Sequence, residues 1–130
     1  MTIFIKNKHT LQIDEFKFKC CIGKNGSTLN KKEGDKKTPR GTFEIENLYY
    51  RKDRKEKPST FLKCIEIKKN MAWCDDIRFP KKYNKLIKIE KTIKHEKLKR
   101  EDFKYDLLIP IKYNYKKPTT GLGSCIFIHL

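Results

Sequence analysis

The sequence predicts a mainly β domain with little helix, on three observations. Apolar residues recur at every second position, clusters of Gly, Pro, Asn and Asp separate the alternating runs, and no segment carries the 3.6-residue apolar stripe of a helix. Phe16, Phe18, Cys20 and Ile22 alternate with Lys17, Lys19 and Cys21. That pattern predicts a strand with one buried face, with Cys20 and Cys21 on opposite sides. Further strands are expected over Thr2 to Lys6, Thr42 to Leu48, Phe61 to Lys68, Tyr105 to Tyr113 and Ser124 to Leu130, each bounded by turn signals. A short helix is expected around Lys82 to Leu86, and the segment from Thr92 to Arg100 is ambiguous.

Between the early strands lie Gly23-Lys-Asn-Gly26-Ser27 and Lys32-Glu-Gly34-Asp35, followed by Thr38-Pro39-Arg40-Gly41-Thr42-Phe43. Gly admits positive φ, Pro fixes φ, and Asp and Thr bond back to nearby backbone, so the segment reads as a shaped loop entering a strand. It lacks the Gly-Lys-Ser/Thr ending and following helix of a phosphate-binding loop.

A chain of 130 residues suits one domain, residues 1–130. Eight Phe and six Tyr set it apart from disordered chains, although its charged fraction, 37%, equals its hydrophobic fraction. The net charge of +16 raises the question of a nucleic-acid or other anionic partner. The Lys residues are scattered along the chain instead of forming a stripe, which favours a generally solvated basic surface. Only five of the 32 basic residues are Arg (Arg40, Arg51, Arg54, Arg78 and Arg100), and these are candidate anchors because a guanidinium binds carboxylates and carbonyls as a planar fork.

The N-terminus carries Lys6 after only five residues and shows no signal-peptide run, and no transmembrane span follows. Five Cys without a Cys-x-x-Cys pair argue against a disulfide framework and against zinc, and neither a metal nor a cofactor is expected. These features read as a reduced, soluble, cytoplasmic protein. The last strand is apolar on both faces and ends at Leu130 without a turn or polar tail, so the C-terminal part of the domain is expected to be missing from this sequence.

With these segments in view, the chain resembles the L,D-transpeptidase catalytic-domain family of YkuD type. The matching elements run in order: Ile22-Gly23 with Gly26, Lys32-Glu33-Gly34-Asp35, Thr38-Pro39-x-Gly41-x-Phe43, Tyr50-Arg51 with Asp53-Arg54, Trp73-Cys74-Asp75-Asp76, Tyr83-Asn84, Tyr105-Asp106, Tyr113-Asn114, and Gly123-Ser124-x-Ile126-Phe127-x-His129. The resemblance implies a β fold with little helix. It also implies a cell-wall enzyme in which a Cys thiolate attacks the carbonyl after the L-centre of a peptidoglycan stem tetrapeptide, forming a thioacyl-enzyme that an amine or water resolves. It makes His129 the catalytic residue, with Tyr113, Asn114, Gly123, Ser124 and Arg54 as candidate substrate contacts, and it places the protein at the cell envelope.

In that family a Ser/Thr-x-Gly-Cys segment after the histidine supplies the nucleophile, and the 130 residues contain none. The chain alone is therefore expected to be inactive. Its own cysteines are poor substitutes. Cys125, placed on one strand with His129, would lie about 13 Å away at ~3.4 Å per residue. Cys20, Cys21 and Cys64 read as strand residues, and Asp75-Asp76 beside Cys74 would raise its thiol pKa.

Plainer readings accompany each residue. A histidine on an apolar strand equally suits a core position; His9 and His95 read as surface residues, and Asp75-Asp76 as a turn or helix cap. Tyr83-Asn84 and Tyr113-Asn114 suit turns or strand ends, and Arg51 and Arg54 flank Asp53 as a local ion-pair network. The competing functional reading is a non-catalytic basic module that holds an anionic polymer, either cell-wall glycan or nucleic acid.

Overall fold

Most of the expected strand segments contain strands, though shorter ones, and no part of the chain becomes a helix in the computed structural model, which describes residues 1–130. The chain divides into two units, Met1–Gly41 and Thr42–Leu130.

In the first unit, β1 (Ile3–Asn7), β2 (Thr10–Ile13) and β3 (Phe16–Lys19) form an antiparallel meander. Asp14, at φ 51°, makes the turn between β2 and β3, a conformation that Asp tolerates better than most residues. The register aligns Ile3 with Ile13, Ile5 with Leu11, Leu11 with Phe18 and Ile13 with Phe16. One face of the sheet is therefore wholly apolar. The expectation that this face is buried is corrected here: Phe16 and Phe18 are 61% and 51% exposed. Cys20 and Cys21 lie beyond the end of β3, where the Cys20 N–H closes the meander on the His9 carbonyl at 3.0 Å.

The loop after Cys21 has the tight shape its composition implies. A Cβ on Gly23 would sit 2.5 Å from the Lys36 carbonyl oxygen, so only Gly fits there. The loop is closed by a two-residue parallel pairing of β4 (Ser27–Thr28) with β5 (Thr38–Pro39) and by a bond from the Gly23 N–H to Thr38 Oγ1 at 2.8 Å.

Asp35 organises the loop's far end. Its carboxylate accepts from Lys31 Nζ and from the N–H groups of Lys32 and Lys37. Burial alone would raise its pKa, but the bonds from Lys31 and the two backbone amides outweigh it and hold it at about 2 against an ordinary 3.8. A carboxyl with a lowered folded-state pKa adds stability that is complete above the unfolded value and vanishes as pH falls through the folded one. Protection of this loop from hydrogen exchange should accordingly weaken between pH 4 and pH 2 in the wild type. In Asp35→Asn it should be low already at pH 6, with no further change over that acid range.

The second unit holds two sheets. One is four-stranded in the order β12-β11-β6-β7, with β6 (Leu48–Tyr50), β7 (Cys64–Glu66), β11 (Leu107–Pro110) and β12 (Phe127–His129). The other is antiparallel in the order β10-β8-β9, with β8 (Met71–Cys74), β9 (Leu86–Lys88) and β10 (His95–Lys97). Their shared core is Tyr49, Ile67, Trp73, Leu98, Tyr105 and Leu108, with Phe127 and Cys125 packed against it.

Three sequence expectations change in this unit. Lys82 to Leu86 is not a helix: one turn, closed by the Tyr83 N–H on the Phe79 carbonyl at 2.9 Å, leads straight into β9. Thr42 to Leu48 runs beside the continuation of β11 with a single bridge, Ile45 to Ile111, and regular pairing begins only at Leu48. The segment Ser124 to Leu130 is strand only from Phe127 to His129, and β12 sits at the sheet edge, with Phe127 and Ile128 half-buried and His129 exposed.

Candidate functional site

His129 stands on the core-facing side of β12. It is paired with Leu108 of β11, which is fully buried, and shares its face with Phe127 two residues earlier. An edge-to-face row of aromatic rings leads to it. Tyr49 meets Trp73 at 6.4 Å, Trp73 meets Phe127 at 5.4 Å, Phe127 meets Tyr105 at 5.8 Å, and Tyr105 meets the His129 imidazole at 5.2 Å. The row begins in the core and ends at an exposed ring.

The imidazole's polarity follows from one bond. Nδ1 lies 2.6 Å from the main-chain oxygen of Leu130, and only a protonated nitrogen can donate to that oxygen. With Nδ1 donating to that oxygen, the neutral ring would carry its lone pair on Nε2, the form a general base needs.

The segment leading into β12 is held by a second buried residue, Asn84, which is 4% exposed and has φ 54°. Its Oδ1 accepts from Trp73 Nε1 at 2.9 Å and from the Cys125 N–H at 3.2 Å. Its Nδ2 donates to the carbonyls of Tyr113 and Asn114 at 3.1 and 2.7 Å. Asn114 repeats the motif one layer out: Nδ2 donates to the Thr119 and Gly123 carbonyls, and Oδ1 accepts from the Thr119 N–H. The Tyr113 hydroxyl donates to the Leu122 carbonyl at 2.7 Å, and the Gly123 N–H donates to the Tyr83 hydroxyl at 3.1 Å. Thus Tyr113, Asn114 and Gly123 are gathered in one hydrogen-bonded loop, with Ser124 buried at its end. That loop delivers the chain to β12.

Arg54 lies elsewhere in the unit. It donates to the carbonyls of Glu101 and Asp102 and to the Asp106 carboxylate at 3.1 Å, so it clamps the loop that carries Tyr105. The other arginines also serve as anchors. Arg51, Arg78 and Arg100 each grip an Asp two residues away through paired bonds, to Asp53, Asp76 and Asp102. Arg40 reaches Ser27 Oγ at 3.0 Å. Asp76 also caps its turn by accepting from the N–H groups of Arg78 and Lys94, the turn role its sequence context suggested.

None of the five cysteines is in a disulfide. Cys74 is fully buried on β8, and burial, reinforced by Asp76 and Asp75, pushes its pKa up, which disfavours the nucleophilic thiolate. Cys125 is not on the strand with His129: it has φ 54°, precedes β12, and its Sγ turns toward the Trp73 carbonyl at 4.0 Å. The shared strand face read from sequence is corrected accordingly.

Sequence reasoning missed the part played by Tyr105, Glu96 and Asn84. The Tyr105 hydroxyl donates to Glu96 Oε1 at 2.5 Å, and its ring lies under the Arg100 guanidinium at 5.0 Å. Burial and the bond to Glu96 push its phenol far above the usual tyrosine range. The repeated Tyr-Asn pairs at 83–84 and 113–114 were the visible signal for the Asn84 network; β10, which brings in Glu96, had none. No helix is long and apolar enough to cross a membrane.

No curated protein and no solved structure gives a significant match to the chain. The family model for the YkuD L,D-transpeptidase catalytic domain matches residues 1–130, across both units. The chain belongs to the YkuD family of L,D-transpeptidase catalytic domains.

Proposed function

We propose that the protein works in peptidoglycan acyl transfer, with His129 as the base that activates a cysteine nucleophile. The observation that supports this reading most is the Nδ1 contact of His129 with the Leu130 oxygen, which leaves Nε2 able to take a thiol proton. The thiolate sulfur would form a bond to the carbonyl carbon after the L-centre of a stem tetrapeptide. The carbon–nitrogen bond breaks, and the imidazolium returns its proton to the leaving amine. An amine of a neighbouring stem, or water, then displaces the enzyme's sulfur.

Tyr113, Asn114, Gly123 and Ser124 are the proposed substrate contacts, because they line the rigid loop that feeds β12. Arg54, whose guanidinium meets the Asp106 carboxylate through one Nη1 bond at 3.1 Å, is proposed as a further substrate contact. The cysteine is assigned to a Ser/Thr-x-Gly-Cys segment, a motif the 130 residues do not contain. The test is incubation with tetrapeptide-bearing muropeptides of this chain and of a chain carrying such a segment after Leu130. Cross-linked or trimmed products are expected from the second alone. Products from the 130-residue chain would overturn the assignment of the nucleophile, and a folded but inactive longer chain would overturn the enzymatic reading.

A further inference from the structure

We propose that Tyr105 is the positioning residue of His129, holding the imidazole edge-on so that Nδ1 stays on the Leu130 oxygen and Nε2 points outward. This rests on the reading of His129 as the base, and it assigns a role to a residue that need not touch substrate.

An exposed histidine at a strand edge ordinarily samples several rotamers, because nothing opposes rotation about its two side-chain torsions. His129 has one specific neighbour that does oppose it, the Tyr105 ring, with centroids 5.2 Å apart and planes 73° apart. Such an edge-to-face contact favours one rotamer severalfold. The contact orients the imidazole only if the tyrosine is itself immobile, and Tyr105 is fixed on every side. It is 8% exposed and packs edge-on against Phe127 at 5.8 Å, which ties it to Trp73. Its hydroxyl is tethered to Glu96 on β10, and Arg100 covers its ring. Arg100 in turn is held by paired bonds to Asp102, and Arg54 clamps the carbonyls of Glu101 and Asp102 from the other side of the loop. The loop's end is tied to β12 directly, since the Leu130 N–H donates to the Lys104 carbonyl at 3.1 Å. Tyr105 and the Leu130 oxygen, the two groups that orient the imidazole, therefore move as one piece.

The test is long-range proton–nitrogen correlation NMR of the histidine rings in the 130-residue chain, with exposed His9 as the internal reference. In the wild type, neutral His129 is expected to show the Nδ1–H tautomer, with nuclear Overhauser contacts to the Tyr105 ring. Tyr105→Phe keeps the ring and loses only the Glu96 tether, so it should retain that signature. Tyr105→Leu should shift His129 to the tautomer mixture of His9, while the Trp73 indole N–H resonance, which reports the Asn84 bond, stays in place. Retention of the Nδ1–H tautomer by folded Tyr105→Leu would overturn the proposal. So would the absence of ring contacts between Tyr105 and His129 in the wild type, a measurement that needs no variant. Neither result depends on turnover of muropeptides, so failure of the positioning role and failure of the enzymatic reading are separable.

Discussion

Asn84→Ala is expected to destabilise the Thr42–Leu130 unit by about 3–5 kcal/mol, measured as the loss in denaturant unfolding free energy followed by Trp73 fluorescence. The substitution removes an acceptor shared by Trp73 Nε1 and the Cys125 N–H, and a donor shared by the Tyr113 and Asn114 carbonyls. An unsatisfied buried polar group costs about 1–3 kcal/mol, and several would be stranded together. Domains of this size are held by only about 5–15 kcal/mol, so the loss is a large share of the total. Backbone strain is the competing explanation, since Asn84 has φ 54° and Ala tolerates that region poorly. Asn84→Gly separates the two: it relieves the strain and still removes the bonds. It should recover no more than about 1 kcal/mol relative to Ala. Recovery to wild-type stability would show that φ, and not the network, sets the cost.

His129→Gln is the second large effect, and it falls on activity. In a chain that carries the nucleophile segment, the rate of stem-peptide cleavage should drop by about 10²–10⁴-fold, the usual contribution of a positioned general base. Stability should change little, because the side chain is exposed and its ring contact with Tyr105 is worth only about 0.5–1.5 kcal/mol. A purely structural histidine would give the opposite pattern, with activity lost only in proportion to folded protein.

The strand at Phe16 was legible from period-two alternation, and those at Cys64 and Leu107 from apolar runs between turn signals; the strand at Phe127 was legible as an apolar run on both faces. β8 was not, since Ala72, Trp73 and Cys74 are all buried and a strand covered on both sides shows no alternation. β9 begins where the sequence suggested a short helix, and β10 lies in the ambiguous Thr92 to Arg100 segment, because edge strands of three residues are too short to show a period. The exposed face of Phe16 and Phe18 shows the limit of the pattern itself: alternation tells which residues share a face, not whether anything covers it.

The site was legible unevenly, for a related reason. His129 stood out through ordered motifs spread along the chain. The residues that orient it, Tyr105 and Glu96, come from a loop and an edge strand whose contact depends on tertiary packing. The arginines were legible as anchors because Lys is used almost everywhere else, and the structure shows what each one grips. Arg54 illustrates the remaining gap. Its neighbour Asp53 suggested a local pair, yet Asp53 binds Arg51, and Arg54 reaches across to Asp106.

Intact-protein mass spectrometry tests most directly whether His129 activates a cysteine for acyl transfer. A chain carrying Ser/Thr-x-Gly-Cys after Leu130 is mixed with a tetrapeptide muropeptide, and the covalent adduct is sampled before it is resolved. The expected result is a thioacyl adduct on that cysteine, with release of the tetrapeptide's terminal residue, and a strongly diminished rate of adduct formation in His129→Gln. An adduct that forms equally fast without His129 would show that His129 is not the base that activates the cysteine.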